Sequence, residues 1–85
     1  MGQEKKDSVT DAEREFCFFK LGLSSSFMTS LIDTAFKADI HNQYKLAKGF
    51  PELMEVVMKY QTERGYWQDL VKRFNIDFPS SKLTA

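Results

Sequence analysis

The chain has very few of the residues that stabilise small proteins through disulfides or metal sites. Its 85 residues include a single cysteine, Cys17, and a single histidine, His41. One cysteine cannot form a disulfide within the chain, and a Cys/His zinc site needs more ligands than these two. A domain of this length rarely gains more than about 3–5 kcal/mol from its core alone. The sequence therefore predicts no cofactor, and it favours a homo-oligomer as the source of further stability.

Neither sign of charge is in excess, and long apolar runs are missing. Twelve basic and twelve acidic residues give a formal net charge of zero, so nucleic acid is not the expected partner. The apolar runs cover only a few residues, whereas a membrane-spanning helix needs about 20. No signal-peptide pattern precedes them. We expect a cytoplasmic protein that does not enter the membrane.

Patterns that carry catalysis are also absent. The sequence contains no paired-carboxylate, phosphate-loop, HExxH or EF-hand pattern. Cys17 lies in an aromatic run, where a cysteine behaves as a small buried hydrophobe. His41 lies in a polar stretch beside Asn42 and Gln43, which favours a solvated side chain over a catalytic base. We therefore expect a protein that is not an enzyme.

The spacing of apolar residues predicts an all-α fold, a small bundle of four to five helices completed by oligomerisation. Thr10 and Glu13 form a capping-box pattern that begins the first helix, and Gly22 follows its expected end near Leu21. Three serines then offer an N-cap for a second helix. That helix carries a paired apolar repeat formed by Phe27, Met28, Leu31, Ile32, Ala35 and Phe36.

Two further signals divide the second half of the chain. Asp39 or Asn42 is expected to cap a third helix that Gly49 ends, and Pro51 fits the first position of a fourth. The apolar stripes before and after Gly65 do not share a helical phase, so we expect a break there. The last stripe consists of Tyr66, Trp67, Leu70, Val71 and Phe74.

The helical segments form one domain between polar ends. We predict a flexible tail over residues 1–9, a single helical domain over 10–74 and a second flexible tail over 75–85. The run from Phe16 to Phe19 is apolar on nearly all sides of a helix turn. Part of this run, or of the second helix, is expected in a subunit interface. The alternative is that a compact monomer buries it entirely.

The corner "YKLAKGFPEL" offers the best position for a ligand. The free amides after Pro51 and the adjacent lysines favour an anion or a phosphate, and nearby aromatic rings could stack a base. Glu52 opposes this interpretation because it lies in the same first turn. The alternative is a capped corner with solvated lysines. The predicted ligand-binding residues are Tyr44, Lys45, Lys48, Phe50, Tyr66 and Trp67.

Three segments between residues 26 and 67 carry a family resemblance. These are "SFMTSLIDTAFKAD", "NQYKLAKGFPELMEVVMKY" and "ERGYW". Together they resemble short proteins of phages and mobile elements of gut bacteria, with "KLAKGFPE" and "GYW" as the specific parts. The resemblance implies a phage context in the host cytoplasm, but it assigns no catalytic residue.

Two hypotheses of function follow from that context. In the first, the protein is similar in type to phage anti-defence sponge proteins and sequesters a phosphorylated, nucleotide-derived signal in a homo-oligomer. In the second, it is a protein-protein interaction module, an adaptor or a direct inhibitor of a host defence protein, that uses an apolar helix face.

Overall fold

Five helices follow one another in the computed structural model, which describes residues 9–81, 83 and 84. No strand occurs in this part of the chain, so the predicted all-α fold is confirmed. None of the helices is long and apolar enough to cross a membrane. The helices are α1 (Asp11–Leu21), α2 (Ser26–Lys37), α3 (Ile40–Gly49), α4 (Pro51–Thr62) and α5 (Tyr66–Asp77).

Both ends of α1 follow the predicted local signals. The Thr10 hydroxyl accepts a hydrogen bond from the Glu13 amide at 3.0 Å, and the Glu13 carboxylate accepts one from the Thr10 amide at 3.0 Å. Gly22 ends the helix at φ 77°, a conformation that favours glycine. The Leu23 amide then donates back to the Phe18 carbonyl at 2.8 Å. These bonds satisfy polar groups that a helix end would leave open.

The next helices begin where the sequence predicts. The Ser25 side chain caps α2, and the Asp39 side chain, not that of Asn42, caps α3. Gly49 is the last residue of α3 and Pro51 the first of α4, so a single residue, Phe50, forms the predicted corner. Pro51 fits there because the first helical position needs no amide hydrogen.

The break at Gly65 is also confirmed, because α4 ends at Thr62 and Gly65 has φ 86° before α5. However, α5 runs to Asp77, three residues past the domain boundary predicted at residue 74. Leu83 lies farther along and is buried in the core. The side-chain nitrogen of Asn75, Nδ2, donates to the Leu83 carbonyl at 3.2 Å, which joins this segment to α5. Residues 1–8 of the predicted N-terminal tail lie outside the described residues.

Helix α4 lies at the centre of the bundle and packs against each of the other four helices. The segment Phe16 to Phe19 belongs to the core around it. Phe16 and Cys17 are completely buried, and Phe18 and Phe19 are half-buried against the same cluster. These rings therefore pack within one chain, and a subunit interface that uses part of this segment or of α2 stays a prediction. The core residues are Phe16, Cys17, Leu31, Ile32, Ala35, Leu53, Met54, Val56, Val57, Leu70, Val71, Phe74 and Leu83.

One polar side chain lies inside this packing. Gln43 is buried on the inner side of α3. Its amide nitrogen donates to the Ala35 carbonyl at 3.0 Å and to the Gln61 side-chain oxygen at 3.1 Å. A buried amide without partners would cost free energy, so these bonds are needed for the packing. They join α3 to the ends of α2 and α4, and they determine which side of α3 faces outward.

Candidate functional site

The ligand residues predicted on α3 point in different directions. Gln43 faces inward, and neighbouring residues on a helix point about 100° apart. Tyr44, Lys45 and Lys48 are all exposed, but only Lys45 lines the cleft between the end of α2 and α3. Tyr44 and Lys48 do not line this cleft. The three side chains therefore do not share one cleft.

The cleft beside Lys45 has a composition suited to an anion. Its volume is about 400 Å³, within the range of small-molecule sites. Lys37 approaches it from the last turn of α2, and Asn42 adds an amide that can donate or accept. No carboxylate is among its lining residues. The lining consists of Thr34, Lys37, Ala38, Asn42, Lys45 and Leu46.

Phe50 lies instead in a groove with acidic walls, which is called the acidic groove below. The groove runs between α1, α2 and the start of α4 and has a volume of about 530 Å³. Phe50 also contacts the exposed ring of Phe27, with ring centroids 6.3 Å apart. Three carboxylates and no lysine line the groove, so an anion is disfavoured at the first turn of α4. Its lining is Thr10, Asp11, Ala12, Glu15, Met28, Gly49, Phe50, Glu52 and Leu53.

Tyr66 is held by a buried ion pair between α1 and α5. Its hydroxyl donates to Glu13 Oε2 at 2.6 Å. Arg73 Nη1 and Nη2 donate to the two oxygens of the same carboxylate at 2.8 and 3.0 Å. Glu13 is only 7% exposed. The hydroxyl of Tyr66 is thus engaged within the fold, and the residue serves to join two helices.

The hydrogen bonds to Glu13 outweigh the effect of burial on the pKa of its carboxyl group. Burial by itself would raise the pKa of the carboxyl, but hydrogen bonds from Arg73, Tyr66 and the Thr10 amide lower it to about 2. Burial and the bond to the Glu13 carboxylate raise the pKa of the Tyr66 hydroxyl well above its ordinary value. Both groups therefore keep one protonation state near neutral pH, which suits a structural role.

Trp67 is half-buried against the aromatic core. Its ring meets those of Phe16 and Tyr60 edge-on, with centroids 5.9 and 5.5 Å apart. Lys20 Nζ lies 5.4 Å from the centroid of the Trp67 ring and donates a hydrogen bond to the Tyr60 hydroxyl at 3.1 Å. Trp67 also lines an open cleft formed by residues 60–65 and Gln68. Neither Tyr66 nor Trp67 lines the cleft that contains Lys45.

Cys17 and His41 lie in different environments, one in the core and the other on the surface. His41 is exposed in the first turn of α3, whereas Cys17 has no exposed surface. Burial and the nearby Glu13 charge raise the pKa of the Cys17 thiol to about 12. The thiol is therefore protonated near neutral pH and lacks the thiolate form that acts as a nucleophile.

The described residues also lack any group of three or more His, Cys, Asp or Glu side chains that could hold a metal ion. Comparison of the chain with protein-family models, with curated proteins and with solved structures gives no match. The resemblance to phage and mobile-element proteins therefore stays a prediction.

Proposed function

We propose that this protein is a non-enzymatic binding protein that sequesters a phosphorylated small molecule in the cleft between α2 and α3. The supporting observation is that Lys37, Asn42 and Lys45 line one cleft of about 400 Å³ whose lining includes no carboxylate. Two ammonium groups can neutralise a phosphate, while the apolar surface of Leu46 and Ala38 suits the uncharged part of a ligand.

A nucleotide-derived signal fits this combination of charge and apolar surface. It carries phosphate together with a flat base, and the cleft offers lysines next to apolar side chains. In the phage context that the resemblance implies, removal of such a signal from the host cytoplasm would silence a defence pathway without any catalytic step. The proposal therefore needs high affinity and a high protein concentration, but no reactive residue.

Calorimetric titration with a panel of cyclic dinucleotides and ADP-ribose derivatives tests this function. At least one compound should bind the wild-type chain. The Lys45→Glu variant should raise its dissociation constant by about tenfold or more, because a phosphate would then face a carboxylate. Lys72→Glu is the matched control, since Lys72 is exposed on α5 and lies outside the cleft. Absence of heat with every compound, or an equal loss in the control, would contradict the proposal.

A different cleft supports a second candidate function, direct contact with a host protein as an adaptor or inhibitor. It lies between the end of α1 and the segment after α5, has a volume of about 330 Å³ and has no charged lining residue. Leu23 at its border is 69% exposed. An apolar cleft next to an exposed leucine suits a side chain of a partner protein. The lining is Phe18, Leu21, Leu23, Phe74, Phe78, Ser80 and Ser81.

One cellular assay distinguishes the two functions. Wild-type protein, Lys45→Glu and Leu23→Glu would be expressed in bacteria that carry a nucleotide-signalling defence system, and phage plaques would be counted. Ligand sequestration predicts that only Lys45→Glu loses the effect on defence. Contact through the apolar cleft predicts that only Leu23→Glu loses it, because a buried unpaired carboxylate opposes docking. If neither variant differs from wild type, both candidates are wrong.

A further inference from the structure

Although the net charge of the chain is zero, the chain carries two surfaces of opposite charge. The acidic groove contains Asp11, Glu15 and Glu52 around an apolar floor that includes Met28 and Phe50. No lysine or arginine is among its lining residues. A groove of this kind suits a partner that presents apolar side chains together with positive charge.

Helix α3 presents a surface with those properties, called the α3 stripe below. Ile40, Tyr44 and Lys48 are spaced four residues apart and therefore lie along one side of the helix. Ile40 is 57% exposed and Tyr44 is 61% exposed, so these two neighbouring side chains give the helix a contiguous apolar surface. Residues 40–51 include two basic residues, Lys45 and Lys48, and no acidic residue.

We propose that the acidic groove of one copy of this chain binds the α3 stripe of a second copy. Lys48 and Glu52 form no ion pair with another described residue, so both charges are open to a partner. Docking would bury Tyr44 and Ile40 against the apolar floor and set Lys48 against Glu52 of the other copy. This contact is independent of the ligand proposed above.

The position of the two surfaces selects a closed dimer. Lys48 directly precedes Gly49 and Phe50, which line the groove, so the α3 stripe and the acidic groove meet at the same corner. Two copies related by a two-fold axis can therefore dock reciprocally, each with its α3 stripe in the groove of the other. Both complementary contacts then form in one interface, and no open surface is left to extend the assembly.

Sedimentation equilibrium over a concentration series tests the dimer with charge-reversed variants. The wild-type mass should rise from that of one chain, 9.9 kDa, to twice that value. Glu52→Lys and Lys48→Glu should each raise the dimer dissociation constant by about tenfold or more, because each sets like charges together twice. An equimolar mixture of these two variants should restore the dimer, since both contacts again join opposite charges. Tyr44→Ala should weaken it through lost apolar contact.

Glu63→Lys is the matched control, because Glu63 is exposed and follows the far end of α4, about 18 Å from the groove along the helix. It should dimerise like the wild type. At a concentration low enough to keep the wild type monomeric, thermal unfolding of each variant should match the wild type, since every replaced side chain is exposed. A wild-type chain that stays monomeric over the concentration series overturns the proposal. The acidic groove would then be available to a different protein. A mass beyond two chains, or a mixture that fails to restore the dimer, also overturns the proposal.

Discussion

Arg73→Met should lower the free energy of unfolding by about 3–5 kcal/mol, because it leaves the buried Glu13 carboxylate without its cationic partner. The Arg73 guanidinium donates to both carboxylate oxygens at 2.8 and 3.0 Å. Only the Tyr66 hydroxyl and the Thr10 amide would still donate to Glu13. A domain of 85 residues has a total stability of about 4–13 kcal/mol. The loss is therefore a large fraction of what holds the fold together.

Urea denaturation followed by circular dichroism measures this effect, and Arg14→Met supplies the matched control. Arg14 pairs with Asp11 at 2.7 Å, but the Asp11 side chain is 91% exposed. Loss of an exposed pair costs about 1 kcal/mol or less. The double variant Glu13→Gln, Arg73→Met should cost less than the sum of its single changes, since no buried charge remains unpaired. Equal costs for Arg73→Met and Arg14→Met would show that the buried pair adds nothing.

The same pair should make the effect of Arg73→Met depend on pH. The pKa of Glu13 is lowered from 4.5 to about 2 in the folded chain. Its contribution to stability is therefore complete above about pH 4.5 and is lost as the pH falls towards 2. In Arg73→Met the pKa of Glu13 should rise, because burial is then opposed by fewer hydrogen bonds. The difference in stability between wild type and variant should shrink as the solution is acidified.

The helices could be predicted because their ends are specified by nearby residues. Thr10 and Glu13 are three residues apart, and Gly49 and Pro51 flank the single residue that forms the α3–α4 corner. Gly65 separates α4 from α5, because it adopts a left-handed φ that favours glycine. Such signals act over one helical turn, and the sequence shows them directly.

The candidate site could not be predicted in the same way because its parts come from separate helices. Tyr66 appears in the sequence as the start of an apolar stripe, but its partner Glu13 is 53 residues away. Lys45 was predicted, whereas Lys37 was missed, because only the packing of α2 beside α3 brings both to one cleft. Likewise, no local pattern shows that the carboxylates of Asp11 and Glu52 line one groove.

The end of the domain was misplaced for a related reason. Residues after Asn75 carry no helical periodicity, which predicted a tail. The structure instead buries Leu83 and holds it through the Asn75 side chain. A single leucine that packs against distant helices leaves no periodic signal, since periodicity requires several turns of one element.

Phe16→Ala should lower the free energy of unfolding by about 3–5 kcal/mol, as expected when a large ring is removed from a closed core. The Phe16 side chain has no exposed surface. Its ring contacts Phe19, Phe36, Tyr60 and Trp67, with centroids 5.0 to 6.1 Å apart. These rings come from four helices, so the neighbours cannot collapse into the space without moving a helix.

Phe27→Ala is the matched control, because it removes the same ring from a side chain that is 61% exposed. Its cost should stay within about 0.5 kcal/mol. Both variants would be compared by urea denaturation at a protein concentration low enough to keep the chain monomeric. If Phe27→Ala were the more damaging change there, the aromatic run of α1 would not be the centre of the monomer core. A large cost for Phe16→Ala alone would establish that the Phe16 ring stabilises the single chain.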